Sequence, residues 1–341
     1  MYTRRDVLRL IAWSALAAAL EHWVPRAAQA QTEGPNTPSP LSPFDSAAAE
    51  NRDALDHSSN FRAIYGDPRL AAAFFLFLKN VYNLYPEEPF HRLIAGATRS
   101  ARTDREIYAL VQSQQQTLEP FLAQVRYGLP ALARQKAEMI QQTLELIGQS
   151  PKINGYMEIG TTGRYIGKLM SSAEIRGDVV LVNATPPGYS PTDLVERGRL
   201  SKIGRYVPLR DYAPIAEETV ASNSLDVVAN FIGFHHSPPA RRDGFVLSVR
   251  RVLRPGGKLL LRDHDVDSAE MNRMVALAHD VFNMGLGLPW EQNQREIRNF
   301  TSIAQITGYL ENRGFRAADS RRTLLQKGDP THNALMEFVK A

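Results

Sequence analysis

The sequence contains no cysteine among its 341 residues. Disulfide bonds, thiolate metal sites and a cysteine nucleophile are therefore excluded, and an oxidising compartment is compatible with this absence. The chain also has no dense run of lysine and arginine with interleaved aromatics, and its formal net charge is only +4. Because nucleic-acid-binding proteins usually carry such a basic surface, we expect no nucleic-acid partner.

The chain also lacks an apolar run of about 20 residues, the length that a membrane-spanning helix needs. The N-terminus instead has paired arginines at residues 4–5, an apolar stretch over residues 10–20 and an A-x-A site at residues 28–30. A basic start, a short apolar core and a small-residue cleavage site are typical of a secretory signal. The arginine pair indicates twin-arginine export. We predict a twin-arginine signal peptide at residues 1–30 and a periplasmic protein without an integral membrane span; an amphipathic helix or a retained anchor is the alternative.

No strand pattern is visible in the first part of the remaining chain. Residues 31–44 are rich in proline, serine and threonine, which predicts a flexible linker. Apolar residues at helical spacing over residues 70–82, 103–127 and 129–147 then predict about four helices. We interpret residues 45–150 as a helical cap domain that closes over a ligand cleft. A structural layer or a partner-docking surface is the alternative.

Predicted strands and helices alternate from residue 151 to residue 341, which indicates an α/β fold with a parallel sheet covered on both faces. The predicted strands lie at residues 156–160, 178–183, 206–209, 225–231, 258–262, 316–321 and 334–339. The predicted helices lie at residues 165–171, 241–253, 269–284 and 302–313. No internal repeat is visible, and the length suits one large or two modest domains.

A glycine turn follows the first predicted strand, in the segment GYMEIGTTG at residues 155–163. Gly160 and Gly163 would let the backbone approach a ligand closely, and the helix start after them would supply free N–H groups. Such turns are common after strands, so the pattern by itself leaves the function open. Two further segments follow in order, SLDVVANFIGFHH at residues 224–236 and VRRVLRPGGKLLLRDHD at residues 249–265.

The order of these segments resembles the class I S-adenosylmethionine-dependent methyltransferases of the methyltransferase type 11/12 kind. The resemblance covers residues 153–341 and implies a Rossmann-like, seven-stranded methyltransferase domain at residues 151–341, preceded by the helical cap. It implies an enzyme that uses S-adenosylmethionine as cofactor. In this family the pattern L-D-V-V, here residues 225–228, leads to the active-site mouth. The pattern L-R-P-G-G, here residues 253–257, would end a helix before the fifth strand.

The resemblance implies a set of cofactor-binding residues near the ends of the first four strands: Glu158, Gly160, Thr161, Gly163, Asn183, Asp211 and Asn230. Glu158 would reach the charged methionine part of the cofactor, or it would instead cap the next helix. The family usually has an acid where this chain has Asn183. An amide offers one acceptor oxygen where a carboxylate offers two, so Asn183 would bind the ribose hydroxyls more weakly than an acid. Asp211 would contact the adenine or serve as a turn residue.

Polar residues also follow the fourth and fifth predicted strands, whose carboxyl ends are expected neighbours. They are His235, His236, Asp263, His264 and Asp265. A histidine that is held by an aspartate can act as a general base. We predict that this cluster removes a proton from a small organic acceptor or contacts that substrate, and we assign no metal ligands. A zinc or other transition-metal site and purely structural histidines are the alternatives.

Export raises a question about the cofactor, because S-adenosylmethionine is made in the cytoplasm. The protein would act before export, carry its cofactor out with it, or use the fold for another purpose. The alternative function is therefore an exported protein of methyltransferase fold that has lost cofactor use and acts as a binding module or metal-dependent enzyme. The sequence leaves the acceptor and the oligomeric state open.

Overall fold

The computed structural model describes residues 59–118, 128–149, 151–319 and 323–341. The predicted signal peptide at residues 1–30 and the predicted linker at residues 31–44 lie outside these residues. Within the described part of the chain, no helix has the length and the apolar character that crossing a bilayer requires.

Helices form the described part of the chain before the sheet. They are α1 (Asn60–Tyr65), α2 (Pro68–Phe77), α3 (Glu87–Ser100), α4 (Asp104–Gln115) and α5 (Leu129–Ile147). A π-helical turn at Leu78–Tyr82 extends α2, so that the helix predicted over residues 70–82 has two parts. A 3-10 turn at Gln116–Leu118 extends α4. The region is helical as its apolar spacing predicts, while a domain boundary near residue 150 stays a prediction.

A mixed sheet lies at the centre of the molecule. Its strands are β1 (Lys152–Ile159), β2 (Glu174–Asn183), β3 (Arg205–Pro208), β4 (Leu225–Asn230), β5 (Leu253–His264), β6 (Phe315–Ala317), β7 (Thr323–Leu325) and β8 (Asn333–Lys340). Their order is β3-β2-β1-β4-β5-β8-β6, and β7 also pairs with β8. Strands β1 to β5 are parallel, and β8 runs antiparallel to β5, β6 and β7. The predicted Rossmann-like sheet with a reversed closing pair is confirmed, with the short β7 as an eighth strand.

Among the residues that the structure describes, six further α-helices connect and cover these strands: α6 (Ile166–Leu169), α7 (Pro191–Arg197), α8 (Pro239–Val252), α9 (Ala269–Gly285), α10 (Trp290–Arg295) and α11 (Ile303–Glu311). The helix predicted over residues 241–253 ends at Val252, and β5 begins at Leu253. The L-R-P-G-G segment therefore opens a strand and does not end a helix. The reason is sheet pairing, because Leu253 already lies opposite Leu225 of β4, before the register shifts.

The three largest apolar clusters of the described residues hold these layers together. One face of the sheet packs against α8 and α11, and the other packs against α5 and α6. The third cluster joins α1 to α4 with one stripe of α9, formed by Met274, Leu277, Ala278, Val281 and Met284. Spacings of three and four residues put these side chains on one side of the helix. Helix α9 thus connects the helical region to the sheet.

Candidate functional site

Glu158 closes the turn after β1, here called the β1 turn (residues 158–166). Its Oε1 accepts hydrogen bonds from the Thr161 hydroxyl and from the Tyr165 N–H at 3.2 Å. Its Oε2 accepts from the Ile166 N–H at 2.9 Å and from the Tyr156 hydroxyl at 3.2 Å. Burial raises the pKa of this carboxyl group, although the hydrogen bonds oppose the shift. Glu158 therefore caps the start of α6, which was the alternative to a cofactor contact in the sequence-based interpretation. Direct contact of Glu158 with a cofactor stays a prediction.

The two glycines of the β1 turn have backbone angles that favour glycine, with φ of 83° at Gly160 and 98° at Gly163. A Cβ on Gly160 would lie 2.7 Å from the carbonyl oxygen of Ile232, in the loop after β4. A Cβ on Gly163 would lie 3.3 Å from a methyl group of Leu181. Close packing within the chain is therefore a sufficient reason for glycine at both positions, without a ligand.

Amide side chains lie at the ends of β2 and β4, on either side of β1. Asn183 is buried, and its Nδ2 donates to the Thr185 carbonyl oxygen at 3.2 Å. Asn230 lies opposite Ile159, and its buried Oδ1 has no hydrogen-bond partner among the described residues. The hydroxyl oxygen of Thr162, in the β1 turn, is buried and unbonded in the same way. Buried polar atoms usually have partners, so these two oxygens indicate a place for a polar ligand.

The turn after β3 carries local backbone strain. Arg210, Asp211 and Tyr212 have φ of 48°, 52° and 61°, a left-handed region that non-glycine residues seldom adopt. The turn leaves the Asp211 carboxylate exposed, 3.7 Å from the Arg241 guanidinium. The Tyr212 hydroxyl donates to the Gly233 carbonyl oxygen and ties this turn to the loop after β4. Strain of this kind concentrates at functional sites, which fits a binding role for Asp211.

Four of the eight histidines of the chain meet at the carboxyl ends of β4 and β5 and form the histidine cluster (His235, His236, His264 and His279). His235 and His236 lie on a 3-10 turn after β4, and His264 ends β5. The His235 ring centroid lies 4.2 Å from that of His236, 5.0 Å from that of His279 and 5.7 Å from that of His264. The structure therefore brings the predicted histidines together and adds His279 of α9.

Fixed oxygen atoms orient the three histidines that the sequence predicted. Nδ1 of His235 lies 2.6 Å from Asp263 Oδ1. Nδ1 of His236 lies 2.7 Å from the Ile297 carbonyl oxygen, and Nδ1 of His264 lies 3.0 Å from the Thr331 carbonyl oxygen. A carbonyl oxygen only accepts, so Nδ1 carries the proton in His236 and His264. Asp263 also accepts from the His264 N–H at 2.8 Å. Asp263 therefore holds two members of the cluster at once.

The histidine cluster is buried, and burial controls its charge. Burial, with help from the charge of His235, lowers the pKa of His236 and of His264 to about 4. Burial also lowers the pKa of His279 well below its usual value. For Asp263, burial acts to raise the pKa, but His235 outweighs it and the pKa is lowered. At neutral pH, His236, His264 and His279 are therefore neutral beside a charged carboxylate.

Glu296 and Arg298 complete the surroundings of the cluster. Glu296 Oε1 lies 3.8 Å from His236 Nε2, and Oε2 lies 3.5 Å from His279 Nδ1. Arg298 donates to Glu296 Oε2 at 2.7 Å and to Asp280 Oδ1 at 2.8 Å. No sequence pattern predicted a role for Glu296, Arg298 or His279. The signal that could have found His279 is the polar pair His279-Asp280 inside an otherwise apolar helical stretch.

Asp265 lies outside this cluster. Its Oδ1 accepts from the Ile303 N–H at 2.9 Å, at the start of α11, and none of the described side-chain contacts joins its carboxylate to the histidine cluster. Helix capping by this carboxylate is favourable because the first turn of a helix has free N–H groups. The structure thus gives Asp265 a structural contact, and its predicted catalytic role stays a prediction.

A cavity of about 120 Å³ lies between the helical region and the carboxyl edge of the sheet. Phe77 and Tyr82 line it from the helical region, and Ile232, His264 and His279 line it from the sheet side. Its wall is mainly apolar with a few polar groups, as is usual for sites that bind small molecules. The helical region therefore lines a cavity at the edge where His264 lies, and its role as a cap domain stays a prediction.

A buried ion pair forms another part of the cavity wall. The Arg164 guanidinium donates to Glu196 through Nε at 2.5 Å and through Nη2 at 2.7 Å. Both side chains are buried, so each charge depends on the other for compensation. This bidentate pair fixes the β1 turn against α7.

In a comparison with protein families, residues 206–261, from β3 to β5, match the model of a methyltransferase domain. Comparison with curated proteins gave no match. A similar solved structure is the 1,6-didemethyltoxoflavin-N1-methyltransferase of Burkholderia thailandensis, with 1,6-didemethyltoxoflavin and S-adenosylhomocysteine bound. Its sequence is 16% identical, and its TM-score is 0.40. The alignment covers 62% of this chain and 79% of that chain.

Two further solved structures are similar at the same low level of identity. The N-methyltransferase NodS of Bradyrhizobium japonicum WM9, in complex with S-adenosylhomocysteine, is 11% identical, with 61% of this chain and 86% of that chain covered and a TM-score of 0.40. The CurJ carbon methyltransferase is 13% identical, with 98% and 91% covered and a TM-score of 0.43. The predicted resemblance to a methyltransferase domain is confirmed by the family match, and S-adenosylmethionine is the cofactor that this match implies.

Proposed function

We propose that the protein transfers a methyl group from S-adenosylmethionine to a small organic acceptor that binds in the cavity beneath the helical region. The observation that carries this proposal is the position of the cavity and of His264 at the carboxyl edge of β5, close to the reversal of strand order between β1 and β4. Ligands bind at this point in open α/β sheets. Export to the periplasm through the twin-arginine pathway remains part of the proposal.

The residues at the strand ends offer a fit to the cofactor. The unbonded oxygens of Asn230 and Thr162 would accept hydrogen bonds near β1 and β4. Asn183 would face the ribose, and the exposed Asp211 carboxylate would accept from the adenine amino group. When bound, S-adenosylmethionine supplies an electrophilic methyl group.

His264 is the best-placed general base of the histidine cluster for this reaction. It lines the cavity, and its pKa of about 4 keeps it neutral at pH 7. Its Nδ1 proton is committed to the Thr331 carbonyl oxygen, so the lone pair lies on Nε2. His264 would accept on Nε2 the proton that an acceptor hydroxyl or amine loses. A base held in this position contributes mainly through proximity and orientation.

Calorimetric titration of the full chain with S-adenosylmethionine and S-adenosylhomocysteine tests the proposal. We expect micromolar binding, with the product at least as tight as the cofactor. The variant Asp211→Ala should bind both ligands more weakly, whereas Glu218→Ala, which removes an exposed acid of the same loop region, should bind as the wild type does. No binding at millimolar ligand to folded protein would contradict the proposal.

The alternative function, a methyltransferase fold that no longer uses the cofactor, has its own supporting observations. Both oxygens of Glu158 already accept hydrogen bonds from the chain itself. The Ile232 carbonyl oxygen would lie 2.7 Å from a Cβ on Gly160, so packing within the chain already accounts for this glycine. Under this alternative neither cofactor nor product binds, and the cavity serves a binding module or a metal-dependent enzyme. The same titration separates the two functions.

A further inference from the structure

We infer that His235, His236 and His279 form a binding site for a divalent transition-metal ion, best suited to Zn²⁺, with Glu296 as an adjacent carboxylate ligand. The three histidines come from two separate elements, the 3-10 turn after β4 and helix α9. The inference does not depend on methyl transfer, because the ion would be bound by the protein alone.

The spacing of the ligand atoms suits one ion. One ring nitrogen from each of the three histidines lies within 4.8 Å of the others. Zinc–nitrogen bonds of about 2.0–2.1 Å place the ligand atoms of a tetrahedral ion roughly 3.3–3.4 Å apart. Small rotations of the imidazole rings would therefore bring all three nitrogens to bonding distance. The Glu296 carboxylate, at 3.8 Å from His236 Nε2 and 3.5 Å from His279 Nδ1, can supply a fourth ligand.

The surroundings of the histidines match those of metal ligands. A metal-binding histidine usually donates its second ring N–H to a carboxylate or a carbonyl oxygen, which fixes the ring and its tautomer. His235 has its Nδ1 against Asp263, and His236 donates from Nδ1 to the Ile297 carbonyl oxygen. In both rings Nε2 is then the atom that offers a lone pair.

Buried carboxylates lie against the three histidines. Glu296 Oε1 is 3.8 Å from His236 Nε2, and Asp263 Oδ1 is 2.6 Å from His235 Nδ1. Arg298 pairs with Glu296 Oε2 at 2.7 Å, so the Oε1 atom is the one that would reach an ion.

The donor set indicates which ion to expect. Imidazole nitrogens suit zinc, iron, nickel and copper, whereas magnesium and calcium prefer oxygen ligands. Three histidines with a carboxylate are a usual set for Zn²⁺. Because His279 also lines the cavity, the ion would have a route to the site and a side that faces a bound molecule.

Metal uptake by the full chain, prepared without an affinity tag, tests this inference. The protein is treated with a chelator, dialysed into metal-free buffer and titrated with ZnCl₂ against a chromophoric chelator, and mass spectrometry then counts the bound zinc. We expect one Zn²⁺ per chain and a melting temperature that rises with zinc, because an ion that binds only the folded state stabilises it.

Variants locate the ion within the histidine cluster. His279→Gln and His236→Gln should each weaken zinc binding at least tenfold, and Asp263→Asn should weaken it about 10–100-fold through the orientation of His235. His91→Gln, on α3 and outside the cluster, should keep the wild-type affinity within about threefold.

Two outcomes would overturn the inference: folded wild-type protein that takes up no stoichiometric zinc, or folded His279→Gln and His236→Gln that bind zinc as tightly as the wild type. If one of these variants does not fold, the other and Asp263→Asn decide the question. Titration of the zinc-free protein with S-adenosylmethionine tests the proposed function separately, so failure of one proposal is distinguishable from failure of the other.

Discussion

The β1 turn and the histidine cluster both contain a buried carboxylate at a strand end, but the two carboxylates have different partners. Glu158 accepts hydrogen bonds from its own turn and the following helix. Asp263 accepts from His235 and from the His264 N–H, and so orients groups that can exchange protons or bind a ligand. A buried acid is therefore weak evidence for a site by itself, since its hydrogen-bond donors decide its role.

The largest expected effect concerns the ion pair that anchors the β1 turn. Glu196→Gln should lower the free energy of unfolding by about 3–5 kcal/mol, because it leaves the Arg164 charge buried and uncompensated. Urea denaturation measures the change. The matched control is Glu88→Gln, which removes the exposed pair with Arg92 and should cost about 0.3–0.5 kcal/mol. Equal effects of the two substitutions would refute the structural role given to the buried pair.

The histidine cluster should make stability depend on pH. The folded pKa values of His236 and His264, about 4, lie below the ordinary value of 6.5. The unfolded chain thus binds more protons between pH 6.5 and 4, and the free energy of unfolding falls as the pH falls through this window. The expected slope is about 1.4 kcal/mol per pH unit for each histidine.

Urea denaturation at several pH values between 7.5 and 4.5 measures this slope. His264→Gln should reduce the slope by about 1.4 kcal/mol per pH unit, the contribution of one proton. His91→Gln should reduce the slope by less, since His91 is only partly buried. A stability that is constant over this window would mean that the cluster is protonated in the folded protein.

A smaller effect is expected at the carboxylate of the β1 turn. Glu158→Gln keeps the shape of the side chain but replaces one acceptor oxygen with an NH₂ group facing N–H donors. We expect the free energy of unfolding to fall by about 1–2 kcal/mol through lost capping. Asp265→Asn, at the cap of α11, offers a comparison, because that side chain is less buried and should cost less. A larger cost at Asp265 would reverse the ranking of the two caps.

The smallest expected effect concerns the cofactor. Asn183→Asp should tighten S-adenosylmethionine binding about tenfold, or about 1.4 kcal/mol, because a carboxylate accepts from both ribose hydroxyls. Calorimetry compares this variant with the wild type. The ribose assignment would fail if affinity stayed the same or fell in a protein with unchanged thermal stability.

The sequence predicted the positions of the parallel strands along the chain well, because the apolar runs and the glycine turn are local patterns. It predicted His235, His236, Asp263 and His264 as neighbours, because parallel strands end at one edge of a sheet. It could not place His279, which reaches the cluster only through the packing of α9. It also missed β7, whose three residues are too few for a recognisable alternation.

Boundaries were the other source of error, and tertiary contacts explain them. The proline and glycines of residues 255–257 predict a turn, yet pairing with β4 draws this segment into β5. Asp265 follows the cluster residues directly in sequence but faces the first N–H group of α11. Asp265 lies beyond the last residue of β5, where the strand pairing no longer directs it, so sequence proximity did not imply a shared site.

Helix α9 contacts the helical region with one side and the histidine cluster with another. Leu277 and Val281 pack with the helices that precede the sheet, while His279, between them in sequence, lies in the histidine cluster. We expect that a molecule or ion that fixes His279 also restrains α9 and, through its apolar stripe, the helices that line the cavity.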